Sequence, residues 1–360
     1  MAIRRTIALP LVLVAVAGAI VVGEAVDDRV TASRAAASAV TVADPGPAAG
    51  ALPGSMPAAG AAGAAGADAS GGTASGGVAT DGGAADPTAA GPTTAGDPAT
   101  RTPGAPPANA EATALSAAAV SAATKAVDAY AAGTDATIGV AVRDTAHGQE
   151  SVGAAGAEPI YSASVAKLYT VVSILHRVDA GRLTLTDDDR DDIQAALTRS
   201  DDNAMNALWE KFGGPESIEQ TIGLAGLADS APPDDPSQWG ETLISARDVV
   251  SVYDYVLTDL SPASRAMVID ALGAATPQGA DGFDQAFGLL DPDQDDGADA
   301  KQGWMYFGSK LYLHSTGLVG TGDRFVVAVL TVGPTSAGAD AGRTVVDQAV
   351  AAALAPLNAA

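Results

Sequence analysis

The chain has 360 residues, of which 47% are apolar but only 4% aromatic, and 41 are glycine. This composition indicates that the ordered part is smaller than the whole chain. Acidic residues outnumber basic ones by 43 to 19, and the formal net charge of −24 argues against nucleic acid and against an anionic membrane surface as partners. The sequence contains no cysteine, which excludes disulfides, thiolate catalysis and cysteine-bound metal or lipid.

The first 34 residues have the layout of an export signal. Arg4 and Arg5 precede an uncharged, mostly apolar stretch at 6–23, which is the order of features in a secretory signal. The stretch is long for a signal and only just long enough to span a membrane, and Gly23-Glu24-Ala25 is a poor cleavage site. We therefore expect an extracytoplasmic protein, either secreted or anchored to the membrane by this segment alone.

Residues 35–110 consist almost wholly of Ala, Gly, Pro, Ser, Thr and Asp, and no aromatic residue occurs before Tyr130. Such a composition cannot bury enough apolar surface to offset the entropy of the chain. We interpret the segment as a disordered linker. This interpretation leaves residues 111–360 as one domain of ordinary size.

Periodic patterns within 111–360 predict the fold class of this domain. An Ala-rich helix is predicted at 114–132, and TIGVAVR at 137–143 alternates like a strand. Helical patterns fill the middle, strand patterns return at 301–307, 310–319 and 324–332, and a last helix is predicted at 343–354. Strands at both ends with helices between them favour an α/β protein of the α+β kind, with an antiparallel sheet of about five strands flanked by helices.

The stretch YSASVAKLYT at 161–170 places a serine three residues before a lysine, where a helical apolar pattern begins. Residues three apart share a helix face, so the hydroxyl of Ser164 is expected beside the amine of Lys167. Lysine can take a proton from serine only when it is partly neutral, which requires burial or a nearby cation. Alone, this spacing arises often by chance and equally fits the start of a surface helix.

Two further motifs follow in order, SDDNAMN at 200–206 and KQGW at 301–304 on a predicted strand. Together the three resemble the serine β-lactamase and penicillin-binding protein family, whose pattern is Ser-x-x-Lys, then Ser-Asp-Asn, then Lys-Thr-Gly on a strand. GGPESI at 213–218 is similar to the Gly-Gly-Pro helix start of class A β-lactamases. The resemblance runs from about Ala114 to the C-terminus and implies a β-lactamase/DD-peptidase-like fold with a helical portion between the first and the later strands.

The resemblance also implies a role for each matching residue. Ser164 corresponds to the nucleophile, Lys167 to the base, and Ser200 to the proton shuttle toward the leaving nitrogen. Lys301 supplies a positive field across the cleft. The backbone N–H groups of Ser164 and Trp304 form the oxyanion hole. Three further positions are implied to bind substrate: Asp202, Gln302 and Gly303.

The sequence departs from the family pattern in three ways. Asp202 replaces the asparagine that hydrogen-bonds the substrate amide, and Gln302 replaces the hydroxyl residue that helps to hold the substrate carboxylate. The Glu-x-x-Leu-Asn loop, with which class A enzymes activate the deacylating water, does not occur between Asn206 and the helix start at 239–250. Glu241 is the candidate substitute, although it also fits an exposed or helix-capping acid. We therefore expect slow acylation and still slower deacylation.

Other conspicuous residues have both structural and functional interpretations. The histidines are far apart in sequence and lack partners of the ligand type, so we expect no metal and no cofactor: His147, His176 and His314. Inside a predicted strand, His314 is expected to be packed. Asn206 fits a structural hydrogen bond as well as a catalytic role, and Trp239 and Trp304 either line the cleft or belong to the core.

The sequence thus favours an exported, monomeric serine hydrolase that acts on β-lactams or peptidoglycan peptides through an acyl-enzyme on Ser164. Two alternatives stay open. One is a non-catalytic cell-wall-binding or scaffold protein that keeps the fold and has lost turnover, which the replacements at Asp202 and Gln302 would explain. The other is a glutaminase-like amidase, which shares the Ser-x-x-Lys chemistry.

Overall fold

A computed structural model describes residues 108–294 and 297–359. The export signal or anchor predicted at 1–34 lies outside the described residues, and so does the predicted linker, except for its last residues at 108–110. Within the described ranges, no helix is both long enough and apolar enough to cross a membrane.

The described chain folds into helices and strands in the predicted order. The helices are α1 (Ala108–Ala131), α2 (Ala166–Asp179), α3 (Asp187–Thr198), α4 (Asp202–Phe212), α5 (Pro215–Ala225), α6 (Ala246–Thr258), α7 (Pro262–Gly273) and α8 (Gly338–Leu357). The strands are β1 (Thr137–Asp144), β2 (Gln149–Val152), β3 (Ile160–Tyr161), β4 (Leu243–Ile244), β5 (Asp299–Phe307), β6 (Lys310–Val319) and β7 (Phe325–Pro334). Short 3₁₀ turns at Ala163–Val165 and Trp239–Glu241 contribute to the site described below.

The predicted sheet is confirmed. Five strands pair in the order β2-β1-β7-β6-β5, and each neighbouring pair is antiparallel. Strand β2 was not predicted, because its four residues QESV are too polar to stand out. The middle of the chain is also not wholly helical, since β3 and β4 form a separate two-stranded ribbon. Two-residue strands are too short to give an alternating pattern.

The sheet separates two hydrophobic cores. Successive side chains of a strand point to opposite faces, so Val326, Ala328 and Leu330 pack with the core that contains α2, while Val327 and Val329 pack with the core formed by α1 and α8. Helices therefore cover both faces of the sheet, and β7 reads as an almost continuous apolar run for this reason. Strand β5 is left as one edge of the sheet.

Helix α2 lies in the interior of the protein. Each of its first residues, from Ala166 to Leu175, is buried, which is typical of a helix surrounded by packed elements on all sides. This burial rules out the surface-helix interpretation of the Ser164/Lys167 pair. It also places the start of α2, and the 3₁₀ turn at Ala163–Val165 before it, against β5.

Candidate active site

Side chains from separate segments converge where the start of α2 meets the edge strand β5. Ser164 lies in the 3₁₀ turn, Lys167 in the first turn of α2, Ser200 between α3 and α4, and Lys301 on β5. Each is almost completely buried, with 5% or less of its surface exposed. The structure therefore brings together the four side chains that the family resemblance assigns to catalysis.

Ser164 and Lys167 are in direct contact. The Nζ of Lys167 lies 2.7 Å from the Oγ of Ser164, close enough for a proton to pass between them. Burial lowers the pKa of Lys167, although the neighbouring Asp202 carboxylate acts in the opposite direction. The net shift is toward the neutral amine, which is the form that can accept the serine proton.

Ser200 connects the two lysines. Lys301 Nζ donates to its Oγ at 2.9 Å, and Lys167 Nζ lies 3.2 Å from the same atom. Lys167 Nζ also donates to the Ser200 carbonyl at 3.0 Å. A proton can therefore move between these groups along hydrogen bonds that are already formed.

Backbone strain is concentrated at this point. The non-glycine residues of the described chain with positive φ are Ala163 at 46°, Ser200 at 57° and Asp323 at 57°. Ala163 directly precedes Ser164, and Ser200 carries the bridging hydroxyl. Such a conformation costs about 1–3 kcal/mol and persists where the surrounding packing holds it in place. The packing around this site therefore fixes the backbone that carries the hydroxyl groups of Ser164 and Ser200.

The environment of Lys301 disfavours a second positive charge. Burial, followed by the charge of Lys167, lowers the pKa of Lys301 well below its ordinary value, while Asp202 opposes this shift. Its Nζ also donates to the carbonyl of Gln302 at 2.7 Å. The positive field predicted for Lys301 thus depends on the carboxylate of Asp202, which favours the protonated form.

Strand β5 directs backbone groups toward the turn that carries Ser164. The Gln302 carbonyl points to the edge of the sheet, where Lys301 Nζ reaches it. Backbone groups of residues two apart in an antiparallel strand point the same way, so the N–H of Trp304 faces this edge as well. A Cβ on Gly303 would lie only 3.0 Å from the Ser162 carbonyl oxygen and 3.2 Å from Val165 Cγ2, so a glycine is needed for β5 to approach the turn of Ser164.

The structure gives Asp202 a partner that the sequence did not reveal. It is the first residue of α4, and its Oδ1 accepts a hydrogen bond from Lys167 Nζ at 2.7 Å. The side chain of Asp202 is 62% exposed, whereas that of Lys167 is fully buried. The Asp202 carboxylate therefore contacts both the buried amine of Lys167 and the solvent.

Gln302 behaves differently from its expected role. Its side chain is 1% exposed, and its carboxamide nitrogen donates to the carbonyl oxygen of Phe287 in the interior. No described hydrogen bond joins the Gln302 side chain to Ser164, Lys167 or Ser200. The substrate contact predicted for Gln302 finds no support in this geometry, because a long amide side chain reaches a buried carbonyl that a short hydroxyl would not.

Trp239 contacts the site and also packs against the hydrophobic core that contains α2, so both interpretations of this residue apply. Its ring lies over Lys167 Nζ, 4.4 Å from Nζ to the ring centroid, and its indole N–H donates to Asn206 Oδ1 at 2.9 Å. Asn206 thus has the structural hydrogen bond that was one of its two interpretations. Nothing in the motifs indicated that the 3₁₀ turn at Trp239–Glu241 would pack on Lys167.

Glu241 ends the same turn. Burial raises its pKa, and the nearby charges of Asp235 and Asp234 add to the effect. Among the described residues, no hydrogen bond connects its carboxyl group to Ser164 or Lys167. Its role as the acid or base of deacylation stays a prediction.

Two residues of the loop before β5 also border the site. The Trp304 indole N–H donates to Asp281 Oδ2 at 2.9 Å, and its ring stacks on Phe283 with centroids 4.9 Å apart. The charge of Asp281 is close enough to act on Lys167. Sequence reasoning missed both loop residues, since they belong to no motif.

The prediction that His314 is packed inside a strand is confirmed, because its side chain is fully buried. Its Nε2 lies 2.8 Å from the Tyr161 carbonyl, and its Nδ1 accepts the Thr331 N–H at 3.2 Å. His314 therefore ties the segment before Ser164 to the sheet. In the described part of the chain, no group of three or more His, Cys, Asp or Glu side chains is arranged to hold a metal ion.

Known proteins share both the sequence pattern and the fold. Proteins named "Putative lipoprotein LppW" from Mycobacterium tuberculosis and Mycobacterium bovis are 36% identical to this chain over 208 residues, which are 57% of this chain and 66% of theirs. The match therefore spans slightly less than two thirds of the length of these relatives.

Solved structures are similar at lower sequence identity. A beta-lactamase from Chitinophaga pinensis gives a TM-score of 0.54 at 17% identity, covering 64% of this chain and 97% of its own. PBP-A gives 0.54 at 18% identity, covering 66% and 96%, and a PBP-A mutant in acyl-enzyme complex with penicillin G gives 0.53 at 18%, with the same coverage. At these identities the likeness shows the fold.

A sequence profile supplies the family. The profile described as "Beta-lactamase enzyme family" matches residues 122–188 and 190–355, a span that contains all three motifs and runs from α1 to the last turns of α8. The five-stranded antiparallel sheet with its flanking helices agrees with this assignment. The chain therefore belongs to the beta-lactamase enzyme family, and its described helices and strands build a β-lactamase/DD-peptidase-like fold.

Proposed function

We propose that this protein is an exported, monomeric serine hydrolase that acylates Ser164 with a β-lactam or a cell-wall peptide amide and releases the product slowly. The observation that carries the proposal is the buried contact of 2.7 Å between Lys167 Nζ and Ser164 Oγ. Because burial lowers the pKa of Lys167, this lysine is suited to act as the general base.

Acylation proceeds in two steps. Ser164 Oγ bonds to the carbonyl carbon of the substrate while its proton passes to the neutral amine of Lys167. The carbonyl oxygen becomes an oxyanion, which the N–H groups of Ser164 and Trp304 stabilise, each such donor contributing about 3 kcal/mol. In a protein of this family the scissile bond is an amide, so a nitrogen must then leave.

The second step returns the proton. The hydroxyl of Ser200 donates its proton to the leaving nitrogen as the C–N bond breaks, and Ser200 takes the proton of the Lys167 ammonium across their 3.2 Å contact. Lys301, which donates to the same Ser200 oxygen, holds that hydroxyl in place and stabilises the negative charge that develops. The products are an ester on Ser164 and a neutral amine, and Lys167 is ready for another cycle.

Hydrolysis of the ester is the slow stage. A water molecule must lose a proton as it attacks the ester carbonyl, which requires a base near the adduct. The segment that packs on Lys167 presents the indole of Trp239, and the sequence lacks the Glu-x-x-Leu-Asn loop. The Glu241 carboxyl group of the same turn is the candidate base.

Two observations support an extracytoplasmic site of action. The mycobacterial relatives bear the name lipoprotein, and the apolar segment at 6–23 follows two arginines. This sequence has no cysteine to carry a lipid, so attachment to a membrane would rest on that apolar segment.

One observation favours a second candidate, the non-catalytic wall-binding protein. The Asp202 carboxylate and the face of Trp239 both contact Lys167 Nζ, and both stabilise the ammonium form. If these contacts outweigh burial, Lys167 stays charged and Ser164 is not activated.

Intact-mass spectrometry after incubation with several β-lactams tests the proposal. The wild type is expected to gain the mass of one β-lactam, and Ser164→Ala is expected to gain none. Ser173→Ala is the matched control, because Ser173 lies on α2 and donates to Gln220, away from Lys167. Labelling of Ser164→Ala would assign another nucleophile, absence of any adduct with β-lactams or serine-directed probes would favour the non-catalytic protein, and turnover of free glutamine would favour an amidase.

A further inference from the structure

The charge distribution of the cleft points to the kind of substrate that it accepts. Asp202 Oδ1 is held by Lys167, and the second oxygen, Oδ2, has no hydrogen-bond partner among the described residues. Since the side chain is 62% exposed, a ligand in solution has access to it. The Nζ of Lys167 contacts both Ser164 Oγ and Asp202 Oδ1. A ligand that reacts with Ser164 therefore lies near the carboxylate of Asp202.

A carboxylate at this position has defined hydrogen-bonding requirements. An ionised carboxylate only accepts hydrogen bonds, whereas the asparagine side chain that occupies this position in the family also donates them. Asp202 therefore cannot satisfy a carbonyl oxygen of the substrate. It can satisfy an N–H donor, and it interacts most strongly with a positively charged one.

The cations near Ser164 are already engaged. Lys167 and Lys301 are buried, and their described hydrogen bonds go to the side chains and backbone carbonyls of the site itself. The guanidinium of Arg199, next to Ser200, directs both of its described hydrogen bonds to Asp201. A substrate carboxylate would therefore find no exposed, unengaged cation among these groups, and it would meet the negative charge of Asp202.

Gln302 strengthens the same conclusion. Its carboxamide is turned to the Phe287 carbonyl, so it does not offer the donor that would hold a carboxylate on β5. The next acidic group, Asp281, lies close enough for its charge to act on Lys167 and adds to the negative potential. The carboxylates of Asp202 and Asp281 thus make this side of the site negative.

We infer that Asp202 makes this cleft select acyl donors that carry an ammonium group near the scissile carbonyl, such as amine-bearing peptides, over donors that carry a carboxylate there. This inference rests on the proposed acylation of Ser164. The ammonium group binds Asp202 Oδ2 while Oδ1 keeps its hydrogen bond with Lys167. The same side chain thus positions the base and determines which substrate charge is preferred.

Three thioester acyl donors test the inference. They share one acyl skeleton and carry an ammonium, an acetylated amine or a carboxylate at the same position. In each reaction Ser164 Oγ replaces the sulfur on the carbonyl carbon and the thiol leaves with the serine proton, so thiol release and intact mass both report acylation. The wild type is expected to prefer the ammonium donor over the carboxylate donor by about tenfold or more, the order of one charge-assisted hydrogen bond.

Asp202→Asn is the diagnostic variant, because it changes the charge and keeps the shape. It is expected to slow the ammonium donor more than the carboxylate donor, because any loss of the field of Lys301 affects both, and to reduce the preference to about threefold or less. Asp340→Asn is the matched control: it removes one negative charge from an exposed position on α8, which packs on the opposite face of the sheet from α2. This control should keep the wild-type preference.

An unchanged preference in Asp202→Asn would overturn the inference. If all three donors also accelerated equally, the result would show that Asp202 acts only through the basicity of Lys167. If no donor acylates even the wild type, the proposed function fails, and equilibrium binding of the three corresponding unreactive amides then decides the inference. The ammonium amide must bind Ser164→Ala about tenfold more tightly than the doubly substituted Ser164→Ala, Asp202→Asn protein, and equal binding would refute the role of Asp202.

Discussion

Lys301 Nζ donates a hydrogen bond to Ser200 Oγ across 2.9 Å. The first residue lies on the edge strand of the sheet and the second in a strained turn between two helices. This contact joins the sheet to the helical portion at the point where the proposed proton path runs. Its removal therefore tests the proton path without removing the nucleophile or the base.

Lys301→Ala is expected to slow acylation of Ser164 about 100-fold, because both the orientation of Ser200 and the field at the leaving nitrogen are lost. The rate of adduct formation, followed by intact mass at several times after mixing with a β-lactam, measures this effect. Lys310→Ala is the control, because Lys310 is the exposed first residue of β6. Acylation of Lys301→Ala at the wild-type rate would remove Lys301 from the mechanism.

Lys167→Met is expected to abolish labelling of Ser164 while the thermal transition stays unchanged or rises. Replacing a buried charged group with an apolar side chain of similar length is often neutral or stabilising, and the exposed carboxylate of Asp202 that is left behind can be hydrated. Labelling at the wild-type level would show that another group acts as the base. In the wild type, acylation should accelerate as the pH rises through the lowered pKa of Lys167.

The adduct on Ser164 is expected to persist for many minutes, with little steady hydrolysis of a chromogenic cephalosporin, because the Glu-x-x-Leu-Asn loop is missing from the sequence and the turn that packs on Lys167 presents the indole of Trp239 to it. Mass spectra taken after removal of excess β-lactam give the lifetime of the adduct. Rapid multiple turnover would contradict this expectation. If Glu241→Gln then stopped that turnover, Glu241 would be the deacylating base.

His314, which is buried, and Asp299, which is partly buried, should have opposite effects on the dependence of stability on pH. Burial lowers the pKa of His314 from 6.5 to about 4, so its contribution to stability is present above pH 6.5 and is lost as the pH falls toward 4. Burial raises the pKa of Asp299 from 3.8 to about 6, so its contribution is present below 3.8 and is lost as the pH rises through 6.

The two contributions overlap and have opposite signs, so single variants should separate them. Between pH 4 and 6, His314→Gln is expected to become more stable relative to the wild type as the pH falls, and Asp299→Asn is expected to become more stable relative to the wild type as the pH rises. Urea denaturation at several pH values measures both. Parallel curves for a variant and the wild type would show that the corresponding group does not titrate in this range.

The predicted domain boundary can be tested by proteolysis. A chain that begins at about residue 110 should fold by itself, because it keeps almost all of α1, which packs on α8 and on the first two strands. In the full chain, protease should cut the predicted linker at 35–110 before the rest. Unfolding of the shortened protein, or equal cleavage in both parts, would place the boundary elsewhere.

The catalytic candidates were predictable because they depend on local geometry and on a pattern. The spacing of Ser164 and Lys167 predicts that they lie side by side, and the resemblance of the three motifs to a known family implies that Ser200 and Lys301 join them. The interior location of α2 was not predictable, since its apolar pattern fits one buried face as well as full burial. Full burial of α2 results from the packing of the sheet and of the other helices around it.

The partners of the site could not be predicted for a different reason. Trp239 covers Lys167, and Asp281 binds the indole of Trp304, but each pair joins irregular segments whose approach has no periodic signal. The inward direction of Gln302 likewise depends on a carbonyl at Phe287, a backbone group that any residue would supply. Motifs identify the reacting groups, and long-range packing determines what surrounds them.

The pairing of β1 with β7 has a consequence for biosynthesis. Strand β1 is made early, at Thr137–Asp144, and its partner β7 is made near the end, at Phe325–Pro334. A ribosome therefore synthesises Ser164, Lys167 and Ser200 long before the strand that completes the sheet exists, and contacts so distant in sequence form slowly. The growing chain therefore carries Ser164 before its neighbour β5 exists, and the candidate site is assembled only after almost all of the described chain has been synthesised.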